Sequence, residues 1–286
     1  MHFFTFDRLW AYSCSLFFIL LLCNCSPEDP LPLNEVTPED DVAIGYSIDA
    51  AYMHHVDTLA DEQWLSDSDF PDLYVYLHHV CSEIQQSVSH ATQSNKDIPM
   101  RRPIIRVLES PTKTGAFVSP GGHLYIYTGL LKAINHEAEL VPVLAHLLNC
   151  SLHRFDVKKL EAHFSTNFLL DLAIGSNVNG TSYASAGTNV CAIIEHLAEK
   201  PYKRDDVVFL DGKAEEIACE LGYDIEVYSN FYQQNSIQDL DWFSLFPRGI
   251  ANHHYATHLS TSVQDSLTCG GTMSTGGYAD FKTLIP

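Results

Sequence analysis

His146 and Cys150 stand one helical turn apart in the apolar run LAHLLNC, residues 144–150. An imidazole and a thiol at that spacing face the same way from a helix, and nitrogen with thiolate sulfur is a legitimate half of a tetrahedral zinc site. At about 3.6 residues per turn, Glu139, His146, Cys150 and His153 fall on one stripe. His153 lies roughly 10 Å along the axis from His146, at ~1.5 Å per residue, too far to share one ion easily. Glu137 and Glu139 precede His146 by two to three turns, so neither is a base beside a water held there. The plain alternative is that His146 is a buried imidazole with one hydrogen bond and Cys150 a small buried hydrophobe.

The element that must carry these groups is a helix from about Asn135 to Phe155, with Glu137 and Glu139 in its first turns and Lys158 and Lys159 beyond its end, as the helix dipole favours. Val141, Val143, Leu144, Leu147 and Leu148 cover most of its remaining surface, which predicts a mostly buried helix. Before it, Ile104 to Leu108 read as a strand, SPGG at 119–122 as a turn, and His123 to Thr128 as a returning strand, together a β-hairpin. Tyr125 and Tyr127 share one face of that strand, Leu124 and Ile126 the other. Helical patterns run over 44–61 and 70–91; in the second, Leu73, Tyr76, Leu77, Val80, Cys81 and Ile84 make the buried face, which leaves His78 and His79 at the surface or the edge of the core. Residues 174–189 are small and polar, a loop; helices follow near 190–199 and 207–221. The Gly/Ser/Thr-rich tail, 265–286, reads as poorly ordered.

The chain has 286 residues and a formal charge of -20. So acidic a surface, with no Lys/Arg cluster or metal-finger spacing, excludes nucleic acid as a partner. Residues 9–22 (LWAYSCSLFFILLL) form an apolar run too short for a confident membrane span and suited to a secretory signal. The run ends at Cys23 and Cys25 and passes into SPEDPLPLNE. This resembles a bacterial lipoprotein signal that lipidates Cys25, with Cys23 as the alternative, and places the chain in the bacterial cell envelope, at the periplasm or outer membrane. Residues 1–24 are then a signal peptide and 25–42, rich in Pro and acid, a flexible tether, leaving about 260 residues in all after the signal, enough for one sizeable core. Downstream of Cys25 stand Cys81, Cys150, Cys191, Cys219 and Cys269. Their number is odd, so an oxidising compartment allows two disulfides and leaves at least one thiol.

GAFVSPGGHLYIYTGLL at 115–131 followed by NHEAELVPVLAHLLNC at 135–150 resembles the hairpin and first helix of the HtpX and CAAX-protease zinc metallopeptidases. That family reads roughly NAFALPGGYIFVYTGLL and then NEAELAAVLAHEIGH. Tyr202 to Asp211 (YKRDDVVFLD) resembles its YSREQEREAD segment, and LGYDI at 221–225 its AGYDP ending. The likeness covers roughly residues 70–247. It implies an α+β fold, mostly helical and zincin-like, with a small β-hairpin or sheet before the active-site helix, over 43–264.

Carried across residue by residue, the resemblance implies a loss of catalysis. His146 takes the place of the first zinc ligand. Leu147 takes that of the catalytic Glu, which acts as general base on zinc-bound water in a His-Glu-x-x-His helix, and Cys150 that of the second His. Phe209 replaces the third ligand, a Glu, and Phe246, in SLFP at 244–247, replaces the His of a segment near the site. Gly115 stands for an Asn on the substrate-facing edge. Asp211 keeps the family's Asp and could hold His146 in place. The expectation is a catalytically inactive envelope lipoprotein without a cofactor, its aromatic replacements filling an emptied metal site with apolar atoms. Its partners are expected to be the membrane, through the lipid, and polypeptides or envelope proteins, held by strand addition at the hairpin's edge or served as a scaffold or assembly factor. The alternative is a zinc-dependent endopeptidase with an altered site made of His146, Cys150 and Asp211.

Overall fold

The computed structural model describes residues 35–91, 101–110, 113–175, 189–200, 202–236, 242–243, 269 and 271–286. The signal and lipidation residues Cys23 and Cys25, most of the tether, the 176–188 part of the small polar loop, and Phe246 lie outside them. No helix among the described residues is long and apolar enough to cross a membrane.

The first helix, α1 (Pro38–Val56), starts inside the stretch expected to be a tether. Its start is chemically specified: the Thr37 hydroxyl accepts from the Asp40 amide at 3.3 Å, and the Asp40 carboxylate accepts from the Thr37 amide at 2.9 Å. Proline in the first turn and acids near the N-terminus are helix-start signals as much as linker signals. The compact unit therefore begins at Val36, not at 43. Asp41 of this helix is gripped by both Arg154 Nε (2.6 Å) and Nη2 (2.9 Å), and the same guanidinium donates to the Val36 carbonyl at 2.7 Å. α1 also lies directly on the 120–122 turn: a side chain at Gly45 would place its Cβ 1.9 Å from the Pro120 carbonyl oxygen.

The chain continues through β1 (Gln63–Leu65), α2 (Pro71–Ala91), β2 (Ile104–Glu109), β3 (Thr114–Ser119) and β4 (His123–Tyr127). It then runs through α3 (Thr128–Ala133), α4 (Glu137–Leu152), α5 (Phe155–Glu161) and α6 (Thr166–Gly175). Residues 189–200 are helical and close in a π-helical turn, Glu195–Glu199. α7 (Arg204–Glu220), α8 (Ile225–Ser236), β5 (Trp242–Phe243) and α9 (Gly276–Thr283) are the remaining elements among the described residues.

The sheet has the order β1-β2-β4-β3-β5. β3 and β4 form a hairpin across the SPGG turn, but the strand expected as its first arm, Ile104 to Leu108, is β2, which lies beside β4 in parallel because the chain makes a further strand, β3, before the turn. β5 adds to the outer edge of β3 in parallel at Thr114 and Gly115. Alternation along β4 divides the core. Leu124 and Ile126 enter one apolar cluster with α2, α4 and α7, while Tyr125 and Tyr127 enter a second with α1, α5 and α6. Helices on both faces of a small mixed sheet make this the expected α+β fold.

The tail departs from expectation. Cys269 is bonded to Cys219 at the end of α7, and α9 buries Tyr278 (3% exposed) and Phe281 (1%). The segment before α9 supplies what α4 lacks: the first amides of a helix have no intrahelical acceptor, and here the Glu137 amide donates to the Ser274 hydroxyl (3.1 Å) and the Ala138 amide to the Met273 carbonyl (2.9 Å). The Glu137 carboxylate accepts in return from the Thr275 amide at 2.7 Å. Lys282 donates to the carbonyls of Leu131, Lys132 and Ile134 at the end of α3. A tail of small residues reads as poorly ordered because its two anchoring aromatics are sparse, yet they fall three apart on one helical face.

Phe281→Ala should therefore lower stability by about 3 kcal/mol, the loss typical of a buried phenyl group. The shift of the denaturant midpoint measures it; a change within ~0.5 kcal/mol, as at an unpacked surface position, would restore the disordered-tail reading.

Candidate functional site

α4 is buried from Glu137 through Cys150, and its last turns lie against α7. α7 turns Val207, Leu210, Asp211, Ala214, Ile217 and Ala218 inward. The His146 Nδ1 and the Asp211 Oδ1 are 2.8 Å apart across this seam, and each side chain is 1% exposed. The expected support of His146 by Asp211 is thus present: the ring donates its Nδ1 proton to a carboxylate that fixes both its tautomer and its orientation. Glu215, one turn beyond Asp211, is a second carboxylate buried on the same helix. Sequence reading missed it, although its i+4 spacing from Asp211 was the available signal.

The other members of the stripe on α4 go elsewhere. Glu139 accepts from the Asn135 (2.6 Å) and His136 (3.3 Å) amides and caps its own helix. Asn149 closes its amide on the Ala145 carbonyl at 2.8 Å. The Cys150 thiol meets the Tyr202 hydroxyl at 3.2 Å in a fully buried setting. Burial pushes its pKa far above the ordinary thiol value, with the Asp156 charge adding to the effect, so at neutral pH it is a thiol and not a thiolate. His153 is the helix cap, its ring 4.9 Å from that of Phe209. Burial lowers its pKa, and Lys158 and Lys213 lower it further. Leu147, 2% exposed, is packed in the larger apolar cluster, where no proton acceptor is offered.

Phe209 is a correction. Its ring is 40% exposed and packs at the surface on His153 and Phe155, so it does not fill a space beside His146. Helical geometry gives the reason: two residues before Asp211 is about 200° around the helix, whereas four residues before shares its face. The residue on the face of Asp211 is Val207, 1% exposed. That face therefore carries an aliphatic side chain at 207 and no carboxylate there. Gly115 lies in β3 with φ of 110°, a backbone conformation that suits glycine and not the expected asparagine.

Around Cys150 the helices enclose charged groups that the sequence did not single out. The Lys159 ammonium donates to the Leu197 carbonyl at 2.8 Å and lies 3.9 Å over the Tyr202 ring. Burial pulls its pKa down to about 7. Asp156 is fully buried; one oxygen accepts from the Val157 amide at 2.8 Å, the other has no hydrogen-bond partner among the described residues. Burial raises its pKa to about 8. Zinc needs donors that converge. The bond to Asp211 occupies only Nδ1 of His146 and leaves Nε2 as a possible donor, but Cys150 is turned to Tyr202, and no three His, Cys, Asp or Glu side chains among the described residues are placed to hold a metal ion. The donor set that is described does not fit the ion.

Residues 79–238, more than half of the chain, match the family described as Peptidase family M48. Over 201 residues the chain is 25% identical to a protein described as metalloendopeptidase OMA1, mitochondrial, of Bos taurus. That alignment covers 64% of this chain and 37% of the relative, so the chain spans little more than a third of that protein's length.

Two outcomes follow from the buried charges. Asp211→Ala leaves His146 without its acceptor and should cost about 3 kcal/mol, while the double replacement His146→Leu with Asp211→Leu should recover much of that loss, because paired removal leaves no orphaned polar group; denaturant unfolding of the three variants measures both. For Asp156, burial lifts the folded pKa to about 8, above the ordinary carboxyl value of 3.8. The folded state then holds a proton that the unfolded state releases, so this group's contribution is complete below pH ~4 and lost as pH rises to ~8. Asp156→Asn should raise stability at pH 8 on the order of 2 kcal/mol relative to the wild type and leave it little changed at pH 4; a gain equal at both pH values would contradict the assignment.

Proposed function

Because the chain belongs to peptidase family M48, we propose that it is a member that has stopped cutting: a metallopeptidase-like fold without hydrolytic activity, anchored by lipid at Cys25 in a bacterial envelope and used to hold polypeptide or to scaffold an assembly. The observation that carries this reading is Leu147, an aliphatic side chain buried beside His146 where the hydrolytic base would stand. Hydrolysis of an amide in this family's manner needs a metal-bound water and a base to take its proton. Leu147 supplies no base, Val207 no carboxylate, and the Cys150 thiol is held protonated by burial.

Polypeptide binding draws support from the sheet. β3 accepts a parallel strand on its outer edge, since β5 pairs there at Thr114 and Gly115. The backbone of that edge is thus competent for strand addition, although its first two residues are taken by the chain itself. The family and the retained His146 and Asp211 favour one second reading, an altered zinc endopeptidase that recruits Cys150.

Protein purified without a polyhistidine tag should carry zinc far below one ion per chain and leave an unfolded casein-type substrate intact, with or without a chelator. Stoichiometric zinc that disappears in Cys150→Ala, with chelator-sensitive cleavage, would establish the second reading. Cys25→Ser should move the chain from the membrane pellet to the soluble fraction; retention in the pellet would oppose lipidation at that residue.

A further inference from the structure

A cavity of about 390 Å³ opens where β1 ends and β2 begins, between the sheet, α1 and α2. It shares no lining residue with the His146–Asp211 seam. Its size is at the lower end of small-ligand pockets, ~300–1,000 Å³. Trp64, Tyr74 and Ile105 are among its lining residues, and the polar atoms of the two aromatics are already spent: the Trp64 indole donates to the Met53 carbonyl, and the Tyr74 hydroxyl donates to Leu65 and accepts from Val107. These two rings therefore offer the cavity apolar surface.

Cationic donors line the same cavity. Arg106 gives Nε and Nη2 to the two oxygens of Asp49, at 3.1 and 2.7 Å. Its side chain remains 31% exposed, and the Nη1 edge of the fork has no partner among the described residues. Arg102, at the exposed rim, forms no hydrogen bond or ion pair with any described residue, and the buried Nδ1 of His78 has no hydrogen-bond partner there. Asp49 already offsets the charge of Arg106. Arg102, without an ion-pair partner among the described residues, shares the lining with Asp67. A planar guanidinium edge and a second arginine match a carboxylate, which takes two parallel hydrogen bonds. Asp67 opposes a dianion such as phosphate by like-charge repulsion.

We propose that this cavity is a binding site for a monocarboxylate with an apolar body, its carboxylate held by Arg106 and Arg102 with the imidazole of His78 beside them, and its body against Trp64 and Ile105. Two sources share that chemistry, the C-terminal residue of a polypeptide and a free amino-acid-sized acid. The site stands independently of whether the chain hydrolyses anything.

Calorimetric titration of the full chain tests it, with N-acetyl-phenylalanine, its uncharged amide, an acetylated tripeptide ending in phenylalanine with a free carboxylate, and inorganic phosphate as probes. The free carboxylates should bind, and the amide should bind at least tenfold more weakly, a difference of about 1.4 kcal/mol. Arg102→Gln, at an exposed position, should keep the wild-type thermal midpoint and lose at least tenfold in affinity for the carboxylate. Tighter binding of the tripeptide than of the single residue would assign the site to chain ends; equal binding would assign it to small acids. Equal affinity for acid and amide, an unaffected Arg102→Gln variant, preference for phosphate, or no heat of binding up to ~10 mM would each overturn the proposal.

Discussion

One constraint governs this molecule: α4 has almost no surface in water. Every residue from Glu137 to Cys150 is buried, so each polar group on the helix must find its partner inside the protein or carry the cost of losing water, about 1–3 kcal/mol for a neutral group and more for a charge. The rest of the fold is arranged to meet that demand. The 273–275 segment receives the amides at the helix start, Glu139 closes on the chain just before it, Asp211 meets His146, and Tyr202 meets Cys150. The Cys219–Cys269 disulfide fixes the start of the segment that caps α4, and α9 fixes its end. A tail that serves the central helix in this way is part of the core by energetics, whatever its composition.

The same constraint explains which parts of a peptidase site survive here. A family ligand exposed to solvent can be lost freely. A buried imidazole cannot lose its carboxylate without leaving an unpaired group behind. His146 and Asp211 stand or fall together, and together they are close to neutral in stability. Leu147, Cys150 and Val207 are the other kind of replacement: apolar or nearly so, each packed at 2% exposure or less. Such side chains contribute about 1.5–3 kcal/mol each for a fully buried aliphatic group. The helix is thereby suited to a dry seam.

Much of this was legible in the sequence, and the reasons differ by element. The hairpin was readable because SPGG leaves the chain little choice but to turn, with Gly121 and Gly122 both at positive φ, and because β4 alternates two aromatic with two aliphatic residues. α2 and α4 were readable from apolar periodicity. The start of α1 was misread because Thr-Pro-Glu-Asp serves a linker and a helix cap equally well; only the buried partners of Val36 and Asp41 decide between them, and Arg154 is more than a hundred residues away. Phe209 was misassigned because an ungapped match orders residues along the chain and is silent about helical phase. Once the phase of α7 is fixed by Asp211, position 207 follows. The buried Asp156 and Lys159 left no pattern at all, since their burial is set by α5 meeting the π-helical turn and Tyr202.

That last group shows where the interior of the fold remains polar. Lys159 and Asp156 both shift toward neutrality through burial, and Cys150 sits among them as a thiol. An interior optimised only for packing would carry aliphatic residues at all three positions, as it does at 147 and 207. Their retention is a matter of connectivity: the Lys159 ammonium ties α5 to the Leu197 carbonyl in the π-helical turn, whose hydrogen-bonding pattern leaves carbonyls that an α-helix would use itself. In this fold the π-turn packs against β3, the strand whose outer edge takes β5. Lys159 thus braces the turn that backs β3, the strand on whose outer edge β5 lies, which gives the buried polar cluster a structural role.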